Sequence, residues 1–268
     1  MKLGFLQMRC KFGEVKANVK KASNLLGKVA DATIVLPELF NTGYLFKNKG
    51  ELRSLAESVK TGYTVSEMKK VAKNRRLNLI FGMAQKLSSK IYNSAIFISE
   101  KGKVEVYQKV HLFDREKLFF KPGTAIKTVK AGEATVGMMI CFDWIVPEVS
   151  RVLTLKGAEI LAHPANLVLP WGQSGMKIRS IENGVFSVTA NRIGVEKRGT
   201  MDLAFTGGSQ IVNPRGEVLV SAGDRSESLK VIEIDLEEAR NKNITSANHL
   251  INDRFPPLYA PVARKGRK

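Results

Sequence analysis

The chain has 268 residues, 44% of them hydrophobic, and 43 Lys and Arg against 25 Asp and Glu give a formal charge of +18. That length and apolar content suffice for one large core, and no run approaches the roughly 20 apolar residues needed to cross a bilayer. Two cysteines, Cys10 and Cys141, with three histidines exclude a disulfide framework and a zinc site. The first ten residues are too short and too interrupted for a secretory signal, so a cytoplasmic protein is expected. The basic excess invites a nucleic-acid reading, yet the Lys and Arg residues are scattered through helical stretches with few aromatics between them. Only 263–268 is a dense cluster. Solvated faces of a lysine-rich protein are the better account, and neither nucleic acid nor a membrane is expected as a partner.

In chain order, strands and helices alternate, which argues for an α/β layered fold. Residues 2–8 read as an edge or opening strand. Apolar positions 15, 19, 22, 26 and 29 fall at helical spacing and predict an amphipathic helix. Residues 33–36 form a buried strand ending at Pro37-Glu38. Val65, Met68 and Ala72 mark a second helix, and 77–83 the next strand. Segments 91–99 and 104–110 are separated by a Gly-containing hairpin turn at 100–103. The run 136–140 is a buried strand, and Asp143, Pro147, Val149, Val152 and Leu153 signal a helix that follows at once and ends at Gly157. Strand 160–163, helix 174–183 and strand 185–190 continue the pattern. Segments 210–212 and 218–220 flank Asn213-Pro214-Arg215-Gly216 as a second hairpin. A strand over 229–234 then hands over to a helix from about 236 to 240. No linker or repeat divides the chain. One domain over 1–245 is expected, with 246–268, marked by Pro256-Pro257, as an extended tail able to pack on a neighbour.

The strand-to-helix turn at Cys141 is the strongest chemical signal. A helix N-terminus favours a thiolate or an oxyanion, whereas Cys10 reads as a packed thiol near the first strand. Two further strand ends carry Glu38 and Lys109, where α/β sheets gather functional groups. A carboxylate after four apolar residues and a proline is costly unless paired or used. Taken together, a carboxylate can accept the thiol proton, a lysine can stabilise the thiolate and an oxyanion, and the thiolate attacks an electrophilic carbon. The backbone N–H of Phe142 would complete an oxyanion hole, in which one donor contributes about 3–4 kcal/mol. A competing dyad would pair Cys141 with His163 at the next strand end. A non-catalytic or nucleic-acid-binding scaffold is a remoter alternative.

The strings Leu36-Pro37-Glu38-Leu39-Phe40, Tyr107-Gln108-Lys109-Val110-His111-Leu112-Phe113 and Met139-Ile140-Cys141-Phe142-Asp143-Trp144 resemble the three catalytic motifs of the nitrilase, or carbon–nitrogen hydrolase, superfamily. Two accessory blocks, from Arg179 to Gly194 and from Phe205 to Gly216, extend the resemblance to about Arg240. Cys-Phe-Asp-Trp at 141–144 and His-Pro-Ala-Asn-Leu-Val at 163–168 are similar to archaeal and thermophile amidase- or nitrilase-like members. The resemblance implies a four-layer αββα sandwich that dimerises through its outer helices. It also implies Glu38 as base, Lys109 as oxyanion stabiliser and Cys141 as nucleophile, with no metal or organic cofactor. Members carry a second glutamate after the lysine, for which Glu116 is the better match and Asp114 the poorer. Tyr44, Phe142 and Asn166 would line the pocket.

The reading is a thiol hydrolase that releases ammonia from small amides through a thioester, an aliphatic amidase, with a nitrilase as the alternative. True nitrilases often carry Cys-Trp-Glu after the nucleophile, and Cys141-Phe142-Asp143 is closer to the amidase and carbamoylase branches. Pro170-Trp171-Gly172 suggests a rigid aromatic wall or an interface anchor.

Overall fold

Two six-stranded sheets carry the fold, each with a parallel centre and antiparallel flanks. The computed structural model describes residues 1–264, so most of the basic cluster at 263–268 lies outside the described residues. In chain order come β1 (Lys2–Gln7), α1 (Val15–Leu26), β2 (Ala32–Val35), α2 (Lys49–Leu55), α3 (Tyr63–Arg75), β3 (Leu77–Leu87), β4 (Lys90–Ile98), β5 (Val104–Gln108) and α4 (Glu116–Phe119). There follow β6 (Thr128–Ala131), β7 (Ala134–Met138), α5 (Pro147–Leu155), β8 (Ile160–Ala165), α6 (Gly172–Asn183), β9 (Phe186–Asn191), β10 (Ile193–Arg198) and β11 (Met201–Thr206). The chain closes with β12 (Gln210–Val212), β13 (Val218–Ser221), β14 (Ser228–Glu233) and α7 (Glu237–Arg240).

The first sheet runs β14-β1-β2-β3-β4-β5 and the second β13-β12-β9-β8-β7-β6, while β10 and β11 pair as a separate hairpin. Leu3, Phe5, Val35, Ile80 and Phe97 of the first sheet pack against Val136, Met138, Ile160, Ala162 and Val188 of the second in one buried cluster. On its other side the first sheet buries Leu6, Ile34 and Leu79 against Val19, Ala22 and Leu26 of α1 and Val65, Met68 and Ala72 of α3. Helices α5 and α6 cover the second sheet, with Val149, Leu153 and Met176 fully packed. The result is the expected four-layer αββα sandwich. Its central strands are buried on both faces, which is why they read as continuous apolar runs. No helix among the described residues is long and apolar enough to cross a membrane.

Several expectations need correction. β1 is not an edge strand, because β14 returns antiparallel beside it. The strand before Cys141 ends at Met138, and the chain enters a 3-10 turn over Cys141–Ile145 before α5 begins at Pro147. Proline disfavours helical geometry in the residue before it; Val146 is accordingly extended, at φ −96° and ψ 100°, and separates the two helical segments. The hairpin β10–β11 and helix α2 were not anticipated, since their alternation is half-exposed and charged. Within the segment expected as an extended tail, Pro256–Ala263 winds into exposed 3-10 turns, as three prolines with φ fixed near −65° favour.

A parallel bridge between Met8 and Arg192 shows that the central strands of the two sheets run in the same direction. The carboxyl ends of β2, β5, β7 and β8 therefore open on one edge of the sandwich, where functional groups collect in α/β folds.

Candidate active site

Beyond β2, Leu36 N–H still donates to Ile80 O at 2.8 Å, and Pro37 then turns the chain across β3. Glu38 settles directly on Gly82, where a Cβ would stand 2.4 Å from the Glu38 Cα. Only glycine admits that approach. The Glu38 carboxylate is fully buried, and its Oε1 accepts from Lys109 Nζ at 2.8 Å and from Asn93 Nδ2 at 2.7 Å. Its Oε2 has no hydrogen-bond partner among the described residues.

Lys109 follows the last residue of β5, and its N–H donates to Asn93 O at 2.8 Å, carrying the ladder one step further. Its ammonium lies 2.8 Å from both oxygens of Glu116 as well as from Glu38. Burial opposes the charge, but the Glu116 and Glu38 carboxylates outweigh it and hold the lysine protonated above its ordinary range. Glu116, at the start of α4, also accepts from Tyr44 OH and Phe113 N–H, each at 3.0 Å. Burial pushes its carboxyl above the usual carboxylate range; Lys109 opposes the shift and Glu38 adds to it.

Cys141 has φ +39°, a left-handed conformation for a residue with a side chain, which costs on the order of 1–3 kcal/mol. Its surroundings impose it. Asp143 N–H donates to Ile140 O at 2.9 Å while the Asp143 Oδ2 accepts from Ile140 N–H at 2.9 Å, closing the turn on itself. Tyr107 OH donates to the same Oδ2 at 2.8 Å, and His111 donates to Oδ1 through its backbone N–H at 3.1 Å. The Cys141 carbonyl accepts from His163 Nε2 at 2.9 Å, and Trp144 O accepts from Arg179 Nε at 2.9 Å. The thiol itself is pushed well above its normal pKa by burial and then by Glu38, against Lys109 and a hydrogen bond from the Asn166 N–H. At neutral pH it is therefore a protonated thiol that needs a base.

His163 is not arranged as that base. It is fully buried between the Cys141 carbonyl and Thr189 Oγ1, at 2.9 and 3.1 Å, and burial lowers it to about 4. Phe142 and Asn166 line a cavity with Cys141, Phe113, Trp144 and Leu167. Both polar atoms of the Asn166 side chain are buried without a partner among the described residues. Tyr44 is not among the lining residues; its hydroxyl is engaged by Glu116. Trp171 is exposed. Asn93 and Asp143 were missed as site residues. An Asn inside an otherwise apolar strand, where Asn is depleted, is a signal that could have flagged Asn93.

The αββα sandwich thus carries a buried carboxylate, an ammonium and a thiol gathered at one edge, the arrangement of a hydrolase. Comparison with known proteins makes the class specific: the carbon–nitrogen hydrolase family model matches residues 2–243, and the chain belongs to that family. It is 41% identical over 263 residues to a nitrilase of Pyrococcus abyssi, covering 97% of this chain and 99% of the relative. It is 31% identical over 245 residues to an (R)-stereoselective amidase of Pseudomonas sp., covering 90% and 87%. The crystal structure of a carbon–nitrogen hydrolase from Helicobacter pylori G27 superposes with a TM-score of 0.89 at 25% identity, over 99% of both chains.

Proposed function

We propose that the protein hydrolyses small primary amides through a thioester on Cys141, with Glu38 as the base. The observation that carries this reading is the single buried ammonium of Lys109, 2.8 Å from Glu38 and from Glu116, beside a thiol that must lose a proton to react. The unpartnered Oε2 of Glu38 takes the thiol proton as sulfur bonds to the amide carbon. The resulting oxyanion is stabilised by the Lys109 ammonium and the Phe142 N–H. Glu38 returns the proton to the nitrogen, the C–N bond breaks and ammonia leaves. Glu38 then takes a proton from water as its oxygen attacks the thioester; the C–S bond breaks, the acid departs and the thiol is restored. Glu116 holds the ammonium in place throughout.

The flanking Phe113, Phe142, Trp144 and Leu167 favour a largely apolar acyl group. The Asn166 amide, with a free donor and a free acceptor, suits the polar end of the substrate. Nitrile hydrolysis is the second reading, supported by the name of the 41% identical relative. Ammonia release measured on matched amide–nitrile pairs, such as propionamide and propionitrile, separates the two. Acid from the amide alone supports the amidase; acid from the nitrile without free amide supports the nitrilase.

A homodimer is part of the proposal. Leu155 of α5 and Ile178 and Ile181 of α6 are exposed, as are Phe255, Leu258 and Val262 of the C-terminal turns, and apolar faces of this kind mark interfaces. Sedimentation equilibrium tests it; a monomer at micromolar concentration contradicts it.

A further inference from the structure

Glu196, on β10, is an acidic residue of a charged hairpin that does not face solvent. It is 5% exposed, and its carboxylate accepts from the backbone N–H of Tyr44 at 3.1 and 3.3 Å and of Leu45 at 2.5 Å. Arg192 Nη2, 2.5 Å from Oε2, compensates its charge. The preceding Gly43 has φ +82°, and a Cβ there would lie 2.9 Å from the Glu196 Oε2 and 2.9 Å from the Phe12 Cα. The loop is thus seated on the carboxylate. The ring of Tyr44 meets Phe205 edge-on at 6.3 Å, and Phe205 carries the Arg192 guanidinium 4.3 Å from its centroid. Arg192 and Glu196 hold Tyr44 by backbone and by ring, and they leave its hydroxyl 3.0 Å from Glu116 Oε1.

That hydrogen bond falls on a balance point. Glu116 and Glu38 compete for one ammonium, and every donor to Glu116 favours its ionised form. If Glu116 took a proton, the ammonium would be left to Glu38 alone and would quench its basicity. The charged and titratable groups facing Glu116 are Lys109, Glu38, Tyr44 and Cys141; those facing Glu196 are Arg192 and the Cys10 thiol. We propose that Glu196 is a positioning residue that clamps the Tyr44–Leu45 backbone, aims the Tyr44 hydroxyl at Glu116 and so sets the lower pH limit of hydrolysis.

This inference rests on the roles given to Glu38, Lys109 and Cys141 above. Its test is the pH profile of kcat/KM for ammonia release by wild type, Tyr44→Phe, Glu196→Gln and the double variant. Removing the donor lets Glu116 keep its proton to higher pH, so the acid limb moves upward in both single variants, with about tenfold less activity at a pH on that limb. The double variant moves no further than the larger single. A uniform loss at all pH with an unmoved limb, or additive effects, overturns the proposal. Should Glu196→Gln fail to fold, an unmoved limb in Tyr44→Phe overturns it alone. The rate of Cys141 alkylation by iodoacetamide against pH reads the same shift without turnover. Absence of wild-type hydrolysis would thus count against the catalytic reading, and an unshifted alkylation profile against the clamp.

Discussion

The Tyr107 hydroxyl sits 2.8 Å from Oδ2 of Asp143, joining the strand that leads into Lys109 to the turn that carries Cys141. Both partners are fully buried. Tyr107 lies two residues before Lys109 and His111 two after it, and both donate to the same carboxylate, while Asp143 lies two residues beyond Cys141. The distance between lysine and thiol is therefore set by one carboxylate that touches neither.

Replacing Tyr107 by Phe removes one donor and leaves the others. We expect a loss of about 1–2 kcal/mol in urea denaturation, with kcat reduced and KM nearly unchanged, since the reacting groups shift relative to each other and not the pocket. Asp143→Ala leaves Tyr107 OH and the Ile140 N–H without an acceptor, and should lose about 3 kcal/mol or more.

Lys109→Met strands two buried carboxylates without their cation. One must hold a proton, so at pH 7 the variant should be about 3–5 kcal/mol less stable than wild type. The carboxyl pKa values of the folded variant are then raised above their unfolded values, and this part of the stability returns as pH falls. Urea denaturation at pH 7 and pH 5 checks the recovery, with Cys141→Ala as a control that keeps the pair intact.

His163 gives a pH dependence of the opposite sign. Burial lowers it to about 4, below the ordinary histidine value of 6.5, so below pH 6.5 the unfolded chain binds a proton that the folded chain refuses. Stability is full above about 6.5 and falls as pH drops towards 4, by up to ~3 kcal/mol from this residue. His163→Gln should flatten that slope in denaturation measured from pH 7 to 4.5, whatever its effect on activity.

Gly175 of α6 packs flat against the indole that follows the nucleophile. A Cβ there would stand 2.3 Å from Trp144 Cε3, so Gly175→Ala must push the ring, and with it the Cys141 turn. A destabilisation of about 1–3 kcal/mol, read by thermal melting, is expected together with reduced turnover.

Much of this was legible in the chain. Glu38, Lys109 and Cys141 stand out because each ends a clean apolar or alternating run, where a chemical group is either expensive or useful. The same runs give an α/β layered fold, and the four-layer sandwich is what the resemblance to the family adds. What escaped was carried by contacts distant in sequence. Glu196 sits 152 residues from the Tyr44 backbone it binds, on a hairpin whose charged, half-exposed pattern resembles an ordinary surface loop. Asp143 reads locally as the start signal of a helix, and only the fold reveals that it caps a 3-10 turn and gathers Tyr107 and His111. The orientation of His163, away from the thiol and towards a backbone carbonyl, is likewise set by packing between β8 and β9.

The central claim is that Cys141 is the nucleophile and Glu38, not His163, its base. Intact-mass spectrometry with peptide mapping of protein quenched during propionamide turnover, on wild type, Glu38→Gln and His163→Gln, tests it most directly. The account predicts a propionyl mass increment on the Cys141 peptide in wild type and His163→Gln, and no turnover in Glu38→Gln. An increment on another residue, or full turnover in Glu38→Gln with none in His163→Gln, would contradict it.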